Sequence, residues 1–199
     1  NHLHEKDAAY ATEKGFKIKL VAQAQKLSNG KVAAFVLPQF VKADSQLFNV
    51  SNEYNGVIIE SKLADKQFFY GKGAGRYPTS SAVISDISAF GYHYQYEYKK
   101  LRRKEKNELS HHFYLDVFVS FAAWADINKW DFEELTEYNS TAERQYIRGI
   151  IHADKLKDAT WFNDPSVSVI LQQEGLIEKE ALLRKSIKKV SLQLAGVGL

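Results

Sequence analysis

The sequence of 199 residues contains neither cysteine nor methionine. Without cysteine, a disulfide framework and a thiolate metal site are both excluded. Because even an initiator methionine is lacking, we expect the chain to be a fragment that begins inside a longer protein. No apolar run approaches the roughly 18 residues of a membrane span, and the N-terminus has no signal-peptide pattern. We therefore expect no membrane partner.

An excess of one charge is also lacking. The chain has 27 Lys and Arg residues against 24 Asp and Glu residues, which gives a net charge of +3. This excess is too small to indicate a nucleic-acid surface, so no nucleic-acid partner is expected. The basic run at residues 99–104 is typical of an exposed connection. Hydrophobic residues make up 45% of the chain and aromatic residues 13%, which favours a packed core with many strands.

The first forty residues predict a helix followed by a β-hairpin. Residues 7–14 are rich in alanine, and Asp7 is the expected N-cap of a short helix. Alternation of apolar and polar residues predicts a strand over residues 16–25. Ser28-Asn29-Gly30 is typical of a hairpin turn. The second strand is expected over residues 31–37, with Pro38 either ending it or marking an edge of the sheet, before a loop or short helix over residues 40–50.

The next stretch predicts the order strand, glycine loop, helix. Strands are expected over residues 57–60 and 67–70, and a helix capped by Thr79 or Ser80 is expected to run to Phe90. Between them, three glycines alternate with other residues, at Gly71, Gly73 and Gly75. Such a loop lets a ligand approach backbone N–H groups closely, but a tight turn before a helix cap explains it equally well. The spacing differs from the G-x-G-x-x-G dinucleotide motif.

The C-terminal half predicts a small module with the order β-α-β-β-α. Its expected elements are a strand over 112–121, a helix over 131–138, strands over 144–153 and 166–172, and an amphipathic helix over 178–194. The fold class is therefore α+β, with a mixed or antiparallel sheet that has helices on one face, followed by a smaller α+β module. We divide the chain into residues 1–105 and 106–199.

The six histidines do not indicate a metal site. His111 and His112 are adjacent, so in a strand their side chains point to opposite faces. His152 has no partner at the spacing of known ligand motifs, and no H-x-x-x-H pattern occurs. The sequence therefore predicts packed or solvated histidines and no metal.

Four segments in order resemble the homoserine dehydrogenase family. They are Asp7-Ala-Ala-Tyr-Ala-Thr-Glu-Lys-Gly-Phe-Lys-Ile-Lys-Leu20, the Asn29-Gly30 turn, Val36-Leu-Pro38, and the glycine run from Tyr70 to Asp86. The resemblance spans about residues 5–90. It implies an enzyme that uses NAD or NADP to interconvert aspartate semialdehyde and homoserine, with a small amino-acid substrate. It also implies a cytoplasmic location. Exposed strand edges in both β-rich halves favour association, so we expect a homodimer formed by sheet pairing between two copies.

The resemblance also assigns roles to residues of the glycine run. Five positions would lie close to cofactor and substrate: Gly71, Gly73, Ala74, Gly75 and Thr79. In the family, the nucleotide-binding domain and an Asp-x-x-x-Lys pair that serves proton transfer lie upstream of the segment matching Asp7. We therefore expect no catalytic residue in this chain, a missing N-terminal nucleotide-binding domain as its partner, and no activity of the fragment alone.

The segment from His112 to Val119 resembles the first strand of an ACT-like regulatory module. The loop motif expected after it is replaced by residues 120–125, Ser-Phe-Ala-Ala-Trp-Ala. Because that loop normally helps to bind an effector, a structural or dimerising role is at least as well supported. Two alternatives stay open: a non-catalytic amino-acid-binding or regulatory module, and a purely structural oligomerisation domain.

Overall fold

The computed structural model describes residues 2–94, 106–141 and 144–184. In chain order the main elements are α1 (Glu5–Glu13), β1 (Lys17–Lys26), β2 (Val32–Val41), β3 (Tyr54–Ser61), β4 (Asp65–Lys72), α2 (Arg76–Gly91), β5 (Tyr114–Ser120), β6 (Phe132–Ser140), β7 (Gln145–His152), α3 (Ala153–Asp158) and β8 (Ser168–Leu171). The predicted α+β class is confirmed.

Packing divides the chain into two compact units. The first contains residues 1–41 and 107–199, and the second contains residues 42–106. This grouping differs from our division at residue 105, because strands of the N-terminal and C-terminal parts share one sheet. The division into 1–105 and 106–199 stays a prediction about the identity of the modules.

A six-stranded mixed sheet in the order β1-β2-β8-β5-β7-β6 forms the first unit. The β2–β8 pair is parallel and has one registered pair, Gln39 with Leu171, whereas the other neighbours are antiparallel. Strands β5, β7 and β8 are central and carry apolar residues on both faces, as strands covered on both sides do. The sheet therefore has a core on each side.

The two cores use alternate residues of the same strands. On one face, Val117 and Val119 pack with Ile147, Ile151 and other buried side chains. On the other, an aromatic cluster contains Tyr10 of α1 with Phe40, Phe118, Tyr146 and Ile170. The Tyr10 and Phe118 rings lie 4.6 Å apart and nearly parallel. Burial of each large side chain contributes about 1.5–3 kcal/mol, so this face holds α1 against the sheet.

Helix α1 begins two residues before the predicted start. His4 is the N-cap, and the predicted cap Asp7 instead occupies the third position of the helix. The Asp7 carboxylate is buried, and its Oδ2 accepts a hydrogen bond from the His4 backbone N–H at 2.9 Å. Its Oδ1 accepts from Ser120 Oγ at 2.6 Å, and Oδ2 also accepts from Ser168 Oγ. Asp7 therefore links α1 to two strands of the sheet as well as to its own helix start.

The predicted hairpin of β1 and β2 is confirmed, with one correction. Gly30 adopts a φ of 83°, and its N–H donates to the Leu27 carbonyl at 2.9 Å, as a tight turn requires. Strand β2, however, continues through Pro38 to Val41. Proline is tolerated there because the side of β2 away from β1 has only the single registered pair with β8.

The predicted helix over residues 131–138 is wrong, because this segment forms strand β6, paired with β7. Its apolar residues Phe132, Leu135 and Tyr138 follow one another at intervals of three, which imitates a helical face. The register shifts twice, between Phe132 and Glu134 and between Leu135 and Glu137. Each irregularity inserts a residue and so breaks the two-residue period of a strand.

The C-terminal order also differs from the predicted β-α-β-β-α. Between β5 and β6 the chain forms two short 3₁₀ turns, Trp124–Asp126 and Lys129–Asp131, and no α-helix. Helix α3, which was not predicted, follows β7. The strands predicted over 112–121, 144–153 and 166–172 are confirmed as β5, β7 and β8. The last helix is present over 179–184, and its remainder to residue 194 lies outside the described residues, as does the basic run at 99–104.

The second unit contains the antiparallel pair β3–β4 and helix α2. Residues 46–49 form the short 3₁₀ helix allowed for by the sequence. Gly56 lies where a Cβ would approach Val50 at 2.7 Å and Phe68 at 2.9 Å, so glycine permits a small apolar contact there. Among residues 42–94, none is fully buried. In the part of the chain that the structure describes, no helix is long and apolar enough to cross a membrane.

Candidate functional site

The glycine run follows β4 directly and leads into α2. Gly71 still belongs to β4, where it pairs with Asn55. At Gly73 the N–H donates to the Glu53 carbonyl at 2.9 Å, and a Cβ would lie only 1.7 Å from Nδ2 of Asn55. A side chain at Gly73 would therefore displace Asn55, whereas a Cβ at Gly71 would meet nothing within 4 Å. Glycine at position 73 therefore leaves room for the exposed Asn55 side chain, and no such contact occurs at Gly71.

Gly75 is the N-cap of α2 and has a φ of 114° with a ψ of 152°. L-amino acids rarely adopt this conformation, so glycine is required at this position. The helix begins at Arg76, earlier than the predicted caps Thr79 and Ser80. Pro78 fits the first turn because the N–H it lacks has no partner within a helix anyway. The backbone change from strand to helix is therefore concentrated at Gly75.

An open depression lies beside this helix start. Six residues line it: Gly75, Arg76, Thr79, Ser80, Val83 and Ile84. The first turn of α2 carries no acidic side chain, and no side chain caps its N–H groups. The partial positive charge of the helix start and the guanidinium of Arg76 therefore favour an anionic group on the ligand.

Side chains of β4 and of the start of β3 contact one another next to the glycine run. The rings of Tyr54 and Tyr70 stack with their centroids 4.8 Å apart. Lys72 Nζ lies 2.8 Å from Glu53 Oε1 and 5.3 Å from the Tyr54 ring centroid. The hydrogen bond from Lys72 lowers the pKa of the Glu53 carboxyl, and the same bond raises the pKa of the Lys72 ammonium. Both groups are therefore charged at neutral pH.

The structure brings only part of the predicted site together. Gly75 and Thr79 line the depression, whereas Gly71, Gly73 and Ala74 do not. Four lining residues were missed: Arg76, Ser80, Val83 and Ile84. They follow Gly75 at intervals of one, five, eight and nine residues, so the i+3 and i+4 spacing of one helix face would have found them. Binding by any of these residues stays a prediction.

A strand, a glycine at positive φ and a helix start without a side-chain cap characterise this part of an α+β fold. Residues 1–88 match the family model described as homoserine dehydrogenase. Among curated proteins, homoserine dehydrogenase from Synechocystis is 40% identical over 84 residues, which is 41% of this chain and 19% of that protein. The Neisseria gonorrhoeae homoserine dehydrogenase is 35% identical over 85 residues, covering 43% of this chain and 19% of that protein.

These matches show that the chain is homologous to homoserine dehydrogenases over its first 88 residues. The matched segment spans about a fifth of the length of these relatives. A crystal structure of a homoserine dehydrogenase from Thiobacillus denitrificans shares the fold, with a TM-score of 0.59 and 20% identity. That likeness covers 86% of this chain and 46% of the other. Because residues 1–88 are less than half of the chain, the common fold extends into the C-terminal strands.

Proposed function

We propose that this chain supplies the substrate-side part of a homoserine dehydrogenase, which interconverts aspartate semialdehyde and homoserine with NAD or NADP in the cytoplasm. The observation that carries the proposal is the homology over residues 1–88, which includes the whole glycine run. The structural demands at Gly73 and Gly75 support it, because they explain why the motif needs glycine at these two positions.

In this proposal the depression beside α2 forms one wall of the active site. Gly75 and Thr79 lie next to the substrate, while Gly73 and Ala74 hold the loop in place and Gly71 belongs to the supporting strand. The open start of α2 and Arg76 would attract the carboxylate of the amino-acid substrate. Hydride transfer itself is the chemistry of the nicotinamide cofactor, so this wall of the active site would position and orient the substrate.

The 199 residues contain no dinucleotide-binding fingerprint and no assigned proton-transfer lysine. We therefore propose that this polypeptide has no turnover alone and that a nucleotide-binding domain completes the site. The C-terminal strands are proposed to be an ACT-like module. The order β5-β6-β7-α3-β8 supports this, since it is the ferredoxin-like order β-α-β-β-α-β without its first helix.

A homodimer is part of the proposal. Helix α2 has 16 residues and none of them is buried, although several are large and apolar. Val83, Ile87 and Phe90 are 52%, 65% and 83% exposed. Exposed apolar patches of this kind mark interaction surfaces, and a second copy of the chain would cover this one.

A fusion protein tests the proposed function. The nucleotide-binding portion of the Synechocystis homoserine dehydrogenase, including its proton-transfer lysine, is joined to the N-terminus of the full chain. NADPH oxidation with aspartate semialdehyde is then measured. We expect turnover by the fusion, none by the chain alone, and a strong loss of kcat/KM on Gly75→Ala, because alanine is strained at a φ of 114°. Leu63→Ala, at an exposed turn, is the matched control. A folded fusion without turnover would contradict the proposal.

The alternative function is a non-catalytic amino-acid-binding or regulatory module. The start of α2, which no side chain caps, supports this alternative as much as it supports the enzyme, since either protein would bind a carboxylate there. Sedimentation of the chain with and without homoserine or threonine distinguishes the two. Ligand-dependent association, together with an inactive but folded fusion, would favour the regulatory module. Association that no amino acid changes would favour a purely structural oligomerisation domain.

A further inference from the structure

Three side chains that are far apart in the sequence lie together at one end of the six-stranded sheet. Potential ligand atoms of His112, His152 and Asp154 all lie within 4.8 Å of one another. His112 precedes β5, His152 is the last residue of β7, and Asp154 lies in the first turn of α3. None of them belongs to the glycine-loop site, so the proposed function leaves this cluster unexplained.

The antiparallel register of β5 and β7 creates the cluster. Tyr114 is paired with His152, and the N–H of Ala153 donates to the Phe113 carbonyl at 2.9 Å just beyond the strands. His112 precedes β5 by two residues, and Asp154 follows β7 in the first turn of α3, so the paired strand ends bring both residues close to His152. The imidazole rings of His112 and His152 are 5.8 Å apart.

The surroundings hold these groups in place and leave them accessible. Phe113 next to His112 is buried in the core, which fixes the backbone of the loop. The side chain of His152 is 17% exposed and packs edge-on against the Tyr114 ring. Asp154 is 41% exposed, and its Oδ1 lies 3.2 Å from Nδ1 of His111. A solvent ion can therefore reach the three groups.

We propose that His112, His152 and Asp154 bind a divalent transition-metal ion of the Zn²⁺ class. Two imidazoles and one carboxylate are the ligands of open zinc sites, in which the fourth position is filled by water. Zinc–nitrogen bonds of about 2.0–2.1 Å require ligand atoms about 3.3 Å apart. Side-chain rotations that move the ligand atoms by roughly an ångström would therefore complete the site. Harder ions such as Mg²⁺ prefer oxygen ligands and are not expected to bind.

Binding would change two present interactions. The contact between His111 and Asp154 must loosen. The hydrogen bond of 3.2 Å from the Asp154 N–H to Nδ1 of His152 must break if that nitrogen becomes the ligand. The metal would then connect the start of β5 to the junction of β7 and α3. We therefore expect zinc to raise the thermal midpoint of the chain, since an ion that binds only the folded state stabilises it.

Isothermal titration of the EDTA-treated full chain with ZnCl₂ tests this site. We expect one zinc ion per chain, no heat of binding with MgCl₂, and at least about a tenfold weaker affinity in His112→Ala and Asp154→Asn. His93→Ala, in the other unit, is the matched control and should bind as the wild type does. His111→Ala should also retain zinc, because His111 competes for Asp154 and is not a ligand.

Histidine NMR signals provide a second measurement that does not depend on a variant folding. Zinc should shift the imidazole resonances of His112 and His152 in the wild-type chain and leave that of His93 unchanged. Absence of zinc binding by the wild-type chain would overturn the proposal. An affinity that His112→Ala leaves unchanged, or zinc-induced shifts confined to other histidines, would overturn it as well.

Discussion

The two units of this molecule differ most in where they bury their side chains. Every buried residue among those the structure describes belongs to the first unit, and residues 42–94 contain none. Yet the strand, glycine loop and helix that carry the strongest motif lie in the second unit. The first unit therefore has a core that stabilises it. The second unit, which contains the candidate site, has no such core and depends on a further surface for its stability.

The cause of this difference can be read in the strands. In β5 the residues alternate between two cores, so nearly every position is buried. In β3 only alternate residues such as Ile58 are half-buried, and Val57 and Ile59 on the opposite face are exposed. A two-stranded sheet is marginal by itself in water, and it needs a further surface to become stable. The predictions below test this contrast, beginning with the largest effect.

Replacement of Phe118 should have the largest effect on stability. Phe118 is 1% exposed and contacts Tyr10, Phe40 and Tyr146. Phe118→Ala should lower the free energy of unfolding by about 3–5 kcal/mol, because it leaves a cavity in the core. Urea denaturation followed by circular dichroism measures this. Phe69→Ala, in the second unit and 53% exposed, is the control, and an equal loss in both variants would contradict the contrast.

Removal of the Asp7 carboxylate should have the next largest effect. Asp7→Ala removes the carboxylate that accepts from the buried hydroxyls of Ser120 and Ser168, which lie 3.2 Å apart, so at most one of them can then donate to the other. We expect a loss of roughly 1–3 kcal/mol in the free energy of unfolding, the usual cost of unsatisfied buried polar groups. Glu5→Ala, at an exposed position of the same helix, should cost much less. If both variants unfold at the same urea concentration, Asp7 does not hold α1 to the sheet.

The stability of the sheet should fall at alkaline pH. Burial, and then the hydrogen bond from Tyr146 Oη to Glu137 Oε1 at 2.6 Å, raises the pKa of the Tyr146 phenol. Because the folded-state pKa exceeds the unfolded value of about 10, this stabilisation is complete below pH 10 and is lost as the pH rises above it.

Tyr146→Phe provides the test of that pH dependence. It should cost about 1 kcal/mol at pH 7, the net value of one hydrogen bond, and should make the decline in unfolding free energy above pH 10 less steep. Tyr138→Phe, exposed on neighbouring β6, should leave the wild-type profile unchanged. Parallel profiles for the wild type and Tyr146→Phe would show that Tyr146 does not contribute.

Charges on α2 should change association and hardly affect stability. Ile87→Lys with Phe90→Lys should shift sedimentation velocity from dimer to monomer at micromolar concentration, because both side chains are exposed and apolar. The free energy of unfolding of the sheet should change by less than about 0.5 kcal/mol. Ser88→Lys, on the same helix, is the control. A dimer that survives the double substitution would place the interface elsewhere.

Local patterns predicted the elements with local causes. The Asn29-Gly30 turn predicted the first hairpin, and alternation predicted β5, since turn chemistry and periodicity act within a few residues. Strand β6 was missed because two register shifts gave Phe132, Leu135 and Tyr138 a helical spacing. That segment becomes a strand because it pairs with β7, which is a tertiary effect.

Long-range assembly accounts for the other differences. Adjacent histidines gave no sign of a cluster, because His112 and Asp154 meet only through the register of β5 and β7. Asp7 looked like a helix cap, since its contacts with Ser120 and Ser168 depend on strands more than a hundred residues away. In the candidate site, a family motif predicted Gly75 and Thr79. Arg76 and Ser80 were missed, because they line the depression only as a result of where α2 begins.

The carboxylate of Asp7 has a consequence for the order of events during synthesis. Its two serine partners lie 113 and 161 residues further along the chain. Helix α1 leaves the ribosome well before β8, and it cannot complete its polar contacts until β8 has emerged and joined the sheet. Contacts of such separation are slow to form. Helix α1 therefore reaches its final position only after a much later part of the chain has been synthesised.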